Sequence, residues 1–539
     1  MCRKYELVVF AFAYFALLCC SVVGRQRRVQ HPPPPNIVFI LADDLGFNNV
    51  GWQQKKHGME PEIHTPVIDE LAENGLHLDR MYSYKYCSPS RSSFLSGRLP
   101  IHVTQNNKNN LVTNPGGADL RMKLLPEALK ERFNYKTHMV GKWHVGARSE
   151  ANLPVERGFD SHFGFLKGGE DHLTQESSDA NLQFVDLWRD RKPAYHENGT
   201  FSTIIYTEEA VDIITKHGQY SIKDPLFMFL AYQATHTPLE VPASWNVKSV
   251  KDDTKSKSRS HMNALVEILD QGVGNVTHAL KRSGLWNNTI LVFQSDNGGW
   301  ITDPSFGGNN FPLRGGKVSD FEGGVRNFAL VNGGYLPEKL RSTTFSGLMH
   351  ICDWYETFLH ISPSESSEMP TENRNNSSDV PPLDSINQWE ALQVPYSTKS
   401  KRNEVPLAFC TPDAQCDSPG QTFHSVGDAA LIVGQWKVIN GTQNRMGVWQ
   451  GPLFPNISSQ PANDLIGCPT GCLFNVFDDP GEHDDKKLQY PKLFAKLMDR
   501  LAFYGRTVFQ TNYTNAHNCI SAEQAYRANH GFLSPRCST

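Results

Sequence analysis

Three runs of uninterrupted apolar residues constrain this chain more than any other feature. They are Asn36-Ile-Val-Phe-Ile-Leu-Ala42, Pro225-Leu-Phe-Met-Phe-Leu-Ala231 and Thr289-Ile-Leu-Val-Phe293. A strand with one wet face alternates polar and apolar residues. One that is apolar at every position is buried on both faces, as in the middle of a parallel sheet covered by helices. Tyr135-Lys-Thr-His-Met-Val140 reads as a further strand, and the expected class is α/β.

The residues just past these strands carry the chemistry. The first run ends in Asp43-Asp44-Leu-Gly46 and the third in Ser295-Asp296-Asn297-Gly298-Gly299. Ligands of open α/β sheets collect at the carboxyl ends of the strands. Two adjacent carboxylates there would repel without a cation. Asp43, Asp44, Asp296 and Asn297 offer four oxygen donors, which suits a hard cation such as calcium or magnesium. No histidine or cysteine is needed among them, which argues against zinc. Tyr135–Val140 leads into Gly141-Lys-Trp-His-Val-Gly146. In an extended segment Lys142 and His144 share one side and Trp143 takes the other. A cation and a titratable base on one side suit an anionic ester. His236 lies just past the second run, in Thr235-His-Thr-Pro238, where a polar core residue is the plain reading.

A fourth stretch, Tyr86-Cys-Ser-Pro-Ser-Arg-Ser-Ser-Phe-Leu-Ser-Gly-Arg98, reads as a helix. Ser88 suits the N-cap, Pro89 the first helical position and Gly97 the stop. Cys87 then sits at a helix N-terminus, where free N–H groups and the dipole favour an anion. Arg91 is one turn on, with a planar guanidinium suited to sulfate or phosphate oxygens.

The rest of the composition sets the class. At 539 residues the chain exceeds one ordinary core, so a large and a smaller domain are expected. A net charge of −4 gives no sign of a nucleic-acid partner. Arg3 and Lys4 precede an apolar stretch from Leu7 to Cys20, and Val22-Val-Gly24 offers a cleavage site, so residues 1–24 read as a secretory signal. That stretch is short for a membrane span of about 20 residues. Residues 25–35, with Arg25-Gln-Arg-Arg28 and Pro32–Pro35, form a stiff linker. Entry to the secretory route makes disulfides and glycans relevant. Local spacing pairs Cys410 with Cys416, Cys468 with Cys472 and Cys519 with Cys537, leaving Cys352, in an expected buried helix, as a free thiol. Glycosylation sequons stand at Asn198, Asn275, Asn287, Asn375, Asn376, Asn440, Asn456 and Asn512. Residues 362–387 read as an exposed loop, and Ala430–Asn440 as a hairpin turning at Gly434-Gln435.

Cys87-Ser-Pro-Ser-Arg91 followed by Ser96-Gly-Arg98 resembles the signature of the type I sulfatases, with Ser96 where threonine is usual. Thr65-Pro66-Val-Ile-Asp69, Gly141-Lys-Trp-His-Val-Gly146 and the glycine-rich Pro312–Arg326 also resemble family elements. Leu153–Asp160 and Phe163–Asp171 resemble the arylsulfatase B (N-acetylgalactosamine-4-sulfatase) branch. The resemblance runs from about Asn36 to Tyr504. It implies an alkaline-phosphatase-like fold, with a large mixed sheet flanked by helices over residues 36–400 and a smaller antiparallel sheet plus helix over 401–539. It implies that a formylglycine-generating enzyme oxidises Cys87 to formylglycine. One calcium ion, magnesium being possible, would be held by Asp43, Asp44, Asp296, Asn297 and residue 87. Hydrolysis of an aryl or sugar sulfate ester would follow. Arg91, Lys142 and Lys317 would offset sulfuryl charge, His236 would contact the sulfate and protonate the leaving alcohol, and His144 would act as the base. The expected location is lysosomal or extracellular. Two readings compete: a phosphatase or phosphodiesterase of the same superfamily, and a non-catalytic glycoprotein that binds sulfated polysaccharide. The sequence assigns neither the natural ester nor an oligomeric state.

Overall fold

The computed structural model describes residues 33–107, 117–179, 182–248, 258–301, 306–362, 380–410, 428–443, 448–449, 467–509, 519–533 and 535–537. The apolar runs become neighbouring strands: β1 (Asn36–Ala42), β3 (Leu226–Ala231) and β4 (Thr289–Ser295), with β2 (Lys136–Gly141) beside β3. The four are parallel, in the order β4-β1-β3-β2. Shorter strands extend both edges to ten, some of them antiparallel, so the sheet is mixed.

Complete burial of β1 follows from its two covers. Ile37, Phe39 and Leu41 face one layer, where Phe94 of α1 (Cys87–Ser96) stacks on Phe39 with ring centroids 4.0 Å apart. Val38, Ile40 and Ala42 face the other, packed against α2 (Ser202–Tyr220) and α3 (Ser258–Arg282). Filling both sides leaves no position along the strand where a polar residue would be wet, hence the unbroken pattern.

The strand ends are level. Ala42 pairs with Ser295, Leu41 with Ala231, and Ala231 with Gly141. The residues just beyond them therefore emerge along one edge.

A second, four-stranded antiparallel sheet comprises β5 (Glu404–Phe409), β6 (Ala429–Val433), β7 (Trp436–Thr442) and β8 (Gly467–Asn475). The β6–β7 hairpin turns at Gly434-Gln435, with Gly434 at φ 61°. One face of this sheet is covered by α5 (Pro491–Gly505) through Leu497 and Leu501. Residues 519–533 and 535–537 bond to the large domain. Val185 exchanges backbone hydrogen bonds with Gly531 and Leu533, and Arg536 and Cys537 donate to the Arg148 carbonyl.

The bridges Cys468–Cys472 and Cys519–Cys537 are formed. Cys410 is disulfide-bonded, and Cys416 falls outside the described residues. Cys352 is a buried free thiol in a 3-10 turn, Ile351–Asp353, that runs straight into α4 (Trp354–Ile361). His350 accounts for the turn, because its ring accepts the Cys352 N–H. Of the sequons, Asn198, Asn275 and Asn287 are exposed and Asn440 is half-buried. Asn375, Asn376, Asn456 and Asn512, residues 1–32 and most of the 362–387 loop lie outside the described residues. Among the described residues no helix is long and apolar enough to cross a membrane.

Candidate active site

α1 begins at Cys87 with Tyr86 as N-cap, two residues before the start that Ser88 would set. The reason is tertiary. Asn107 Oδ1 accepts the Ser88 N–H at 3.0 Å, so another segment satisfies the free end of the helix. Asn107 also uses its carbonyl to accept from His144 Nε2 at 3.1 Å. It sits in an asparagine-rich stretch that reads only as loop, and nothing in that pattern singles it out. The helix stops at Gly97, at φ 66°.

Cys87 opens onto the level strand edge. Its Sγ lies 3.4 Å from Asp43 Oδ1, 3.9 Å from Asp44 Oδ1 and 3.5 Å from Lys317 Nζ. Lys317 donates to Asp44 Oδ2 at 2.7 Å and Lys142 to Asp43 Oδ2 at 2.6 Å. Asn297 Nδ2 donates to Asp44 Oδ1 at 2.8 Å, and His236 Nε2 is 3.8 Å from Asp44 Oδ2. Asp296 Oδ2 takes Arg91 Nε and Nη2 at 3.0 and 2.8 Å, while its Oδ1 accepts the Asp44 N–H. Arg91 Nη1 donates to the Lys142 carbonyl at 2.9 Å. Each guanidinium nitrogen thus bonds a protein group, and Arg91 braces Asp296 and the Lys142 backbone.

The loop after β2 is not extended. β2 ends at Gly141 and His144 stands at φ 52°. Trp143 turns into the core, its ring N–H on the Gly146 and Asn152 carbonyls. Lys142 and His144 still arrive beside the site, through the bend and not through alternation.

The charges balance. Asp43, Asp44 and Asp296 face Arg91, Lys142 and Lys317, all buried. Burial opposes ionisation of Asp44, but Lys317, His236 and Lys142 hold it below the usual carboxylate range. Burial and the neighbouring Asp43 push Asp296 up to about 6 against the pull of Arg91. Burial and Asp43 push the Cys87 thiol up, so it is a neutral, weak nucleophile as it stands. Burial, then Lys317, pushes His236 down to about 3. Its Nδ1 lies 2.7 Å from the Thr237 carbonyl, which only accepts, so Nδ1 carries the hydrogen and Nε2 the lone pair. His144 is the reverse. Nε2 donates to Asn107, and the buried Nδ1 keeps a lone pair with no partner among the described residues. Burial, Lys142 and Arg91 hold that ring neutral.

The oxygens of the site fit a hard cation, with the softer Cys87 thiol and His236 ring beside them. Asp43, Asp44, Cys87 and His236 each present a ligand atom, all within 4.8 Å of one another. Asn297 Oδ1 is buried and has no hydrogen-bond partner among the described residues. Such an orphaned oxygen beside paired carboxylates is what an oxygen-ligated cation satisfies. Asp296 adjoins this group, its Oδ1 on the Asp44 N–H and its Oδ2 on Arg91. An entering divalent cation would upset the balance of charge, and a dianion bound with it would restore it.

The family model described as Sulfatase matches residues 35–362. Mouse arylsulfatase J is 34% identical over 493 residues, covering 89% of this chain and 77% of its own length. Mouse N-acetylgalactosamine-6-sulfatase is 34% identical over 330 residues, covering 58% of this chain and 60% of its own. Among solved structures, i-CgsB in complex with k-i-k-neocarrahexaose superposes with a TM-score of 0.68 at 27% identity, covering 92% of this chain and 98% of that one.

Proposed function

This chain belongs to the sulfatase family and is a sulfuric ester hydrolase, and we propose that it acts on a sulfate monoester of a sugar or aryl alcohol through formylglycine at position 87 and one calcium ion. The observation that carries the reading is the convergence of Cys87, Asp43, Asp44 and Lys317 within hydrogen-bonding reach on one strand edge. Asp43, Asp44, Asp296, Asn297 Oδ1 and residue 87 would hold the cation. Calcium supplies a Lewis acid that polarises a sulfate oxygen and eases loss of a proton from the nucleophile. Formylglycine supplies, as its hydrate, two hydroxyls, one for attack on sulfur and one for release of sulfate. A thiol has no such second step.

The remaining residues position the ester and move protons. Lys142 and Lys317 bind the sulfuryl oxygens and offset the charge they gain. Arg91 fixes Asp296 and the Lys142 backbone. His144 Nδ1 has a free lone pair and takes a proton. His236 must be charged to protonate the leaving alcohol. The anionic ester favours that charged form, against the opposing positive field of Lys317.

One of the relatives is a 6-sulfatase of N-acetylgalactosamine, so the likeness to the 4-sulfatase branch assigns no ring position. Residues 1–24 and the sequons support passage through the secretory pathway to a lysosome or the outside, where the formylglycine-generating enzyme is met on the way.

The test pairs turnover with mass. Protein from secreting cells should hydrolyse 4-nitrophenyl sulfate, and peptides spanning residue 87 should carry the aldehyde. Full sulfatase turnover from protein with unmodified Cys87 would sink the proposal. Preference for the phosphate ester would favour the phosphatase reading, and no turnover of either ester the binding glycoprotein.

A further inference from the structure

Lys317 reaches the site on a loop with almost no regular structure of its own. The turn that carries it closes from the Ser319 N–H to the Gly316 carbonyl at 3.1 Å, with Val318 inside it at φ 72°. A β-branched residue in the left-handed region is strained, and such strain persists only where the surroundings over-determine the backbone. The large domain supplies part of the hold. The Lys317 N–H donates to the Gly299 carbonyl and the Val318 N–H to the Lys85 carbonyl, each at 3.1 Å.

The rest comes from the four-stranded sheet. Gln443, the residue after β7, accepts the Asp320 N–H on Oε1 at 2.8 Å and donates from Nε2 to Asp320 Oδ2 at 3.4 Å. Lys85 lies 3.0 Å from Asp320 Oδ2 and also bonds Asp428, the residue before β6. Lys437 of β7 sits 3.0 Å from both Glu322 Oε1 and Glu482 Oε1, and Glu482 Oε2 accepts the Glu322 N–H at 2.7 Å. Gly315 donates to the Val448 carbonyl at 2.9 Å. Asp320, Glu322, Asp428, Lys437, Gln443 and Glu482 are all buried. Buried charges like these fix a geometry, because each is costly without its partner.

We propose that the C-terminal sheet is a working part of the sulfate site, with Gln443, Lys437 and Asp428 as positioning residues that hold the strained 316–319 turn and so aim the Lys317 ammonium at Asp44 and residue 87. The proposal rests on the reading above in which Lys317 meets the sulfate.

Lys437→Met would strand two buried carboxylates and can fail to fold, so the decisive variant is Gln443→Met, which removes two hydrogen bonds and keeps the volume. Calorimetry measures inorganic sulfate binding to the calcium-loaded wild type, Gln443→Met, Lys317→Met and the double variant. Gln443→Met should bind sulfate about tenfold more weakly, or about 1.4 kcal/mol. The double variant should bind no more weakly than Lys317→Met alone, because the ammonium that Gln443 positions is already gone. Equal affinity in wild type and Gln443→Met overturns the proposal. So does a double variant whose loss is the product of the single losses, the mark of general loosening. A wild type that binds no sulfate overturns the sulfate reading itself.

Discussion

Replacing Lys317 by methionine should move the affinities for cation and anion in opposite directions. The ammonium lies 2.7 Å from Asp44 Oδ2 in a site with three buried carboxylates and three buried cations. Its removal leaves one negative charge in excess. Breaking a buried pair from one side costs about 3–5 kcal/mol, so the calcium-free variant should be markedly less stable than the wild type. Calcium then enters a site of net negative charge. At an effective dielectric of about 20, two unit charges about 4 Å apart interact by about 4 kcal/mol. Even a third of that is about tenfold in affinity. Calcium should therefore bind at least about tenfold more tightly to Lys317→Met, and sulfate at least about tenfold more weakly. The assay is calorimetric titration of chelated protein with calcium, then of loaded protein with sulfate. Thermal unfolding with and without chelator should show a larger calcium-induced rise in the variant. Both affinities falling together would refute the charge argument, as would an unchanged calcium affinity.

Cys87→Ala should fold and bind calcium and sulfate without turnover, while Cys87→Ser should at most attack once and remain sulfated; intact mass after incubation with an aryl sulfate distinguishes them. Burial and Glu322 push Glu482 up to about 7 against the pull of Lys437. Between about 4.5, the free carboxyl, and about 7 the folded protein holds a proton that the unfolded chain has released, so stability is fullest at acid pH and falls through this window by up to about 3 kcal/mol. Thermal midpoints measured from pH 5 to 8 should fall for the wild type, and Glu482→Gln should flatten that slope. Alkylation of denatured, unreduced protein should mark Cys352 and leave Cys468, Cys472, Cys519 and Cys537 unlabelled; peptide mapping checks it.

The features a reader of the sequence can see, and those hidden from one, divide along the range of the forces involved. β1, β3 and β4 are legible because burial on both faces writes itself into consecutive residues, and the donors after them because a strand end is a local event. Level registers then bring Asp43, Asp44, Lys142, His236, Asp296 and Asn297 to one edge. Ser88 reads as a cap by local rule, but an asparagine 19 residues away takes its amide and the helix starts earlier. His144 reaches the site through a left-handed bend that no alternation predicts. The spacing of Cys519 and Cys537 announces a loop, yet says nothing of where that loop docks. The clearest case is the support of Lys317. Lys85 and Asp428 are 343 positions apart, and each, read alone, is an ordinary surface charge. Only when the fold takes both out of water does the pairing become obligatory. The residues of the candidate site are thus readable from their neighbours in sequence, while those that brace them are readable only from their neighbours in space.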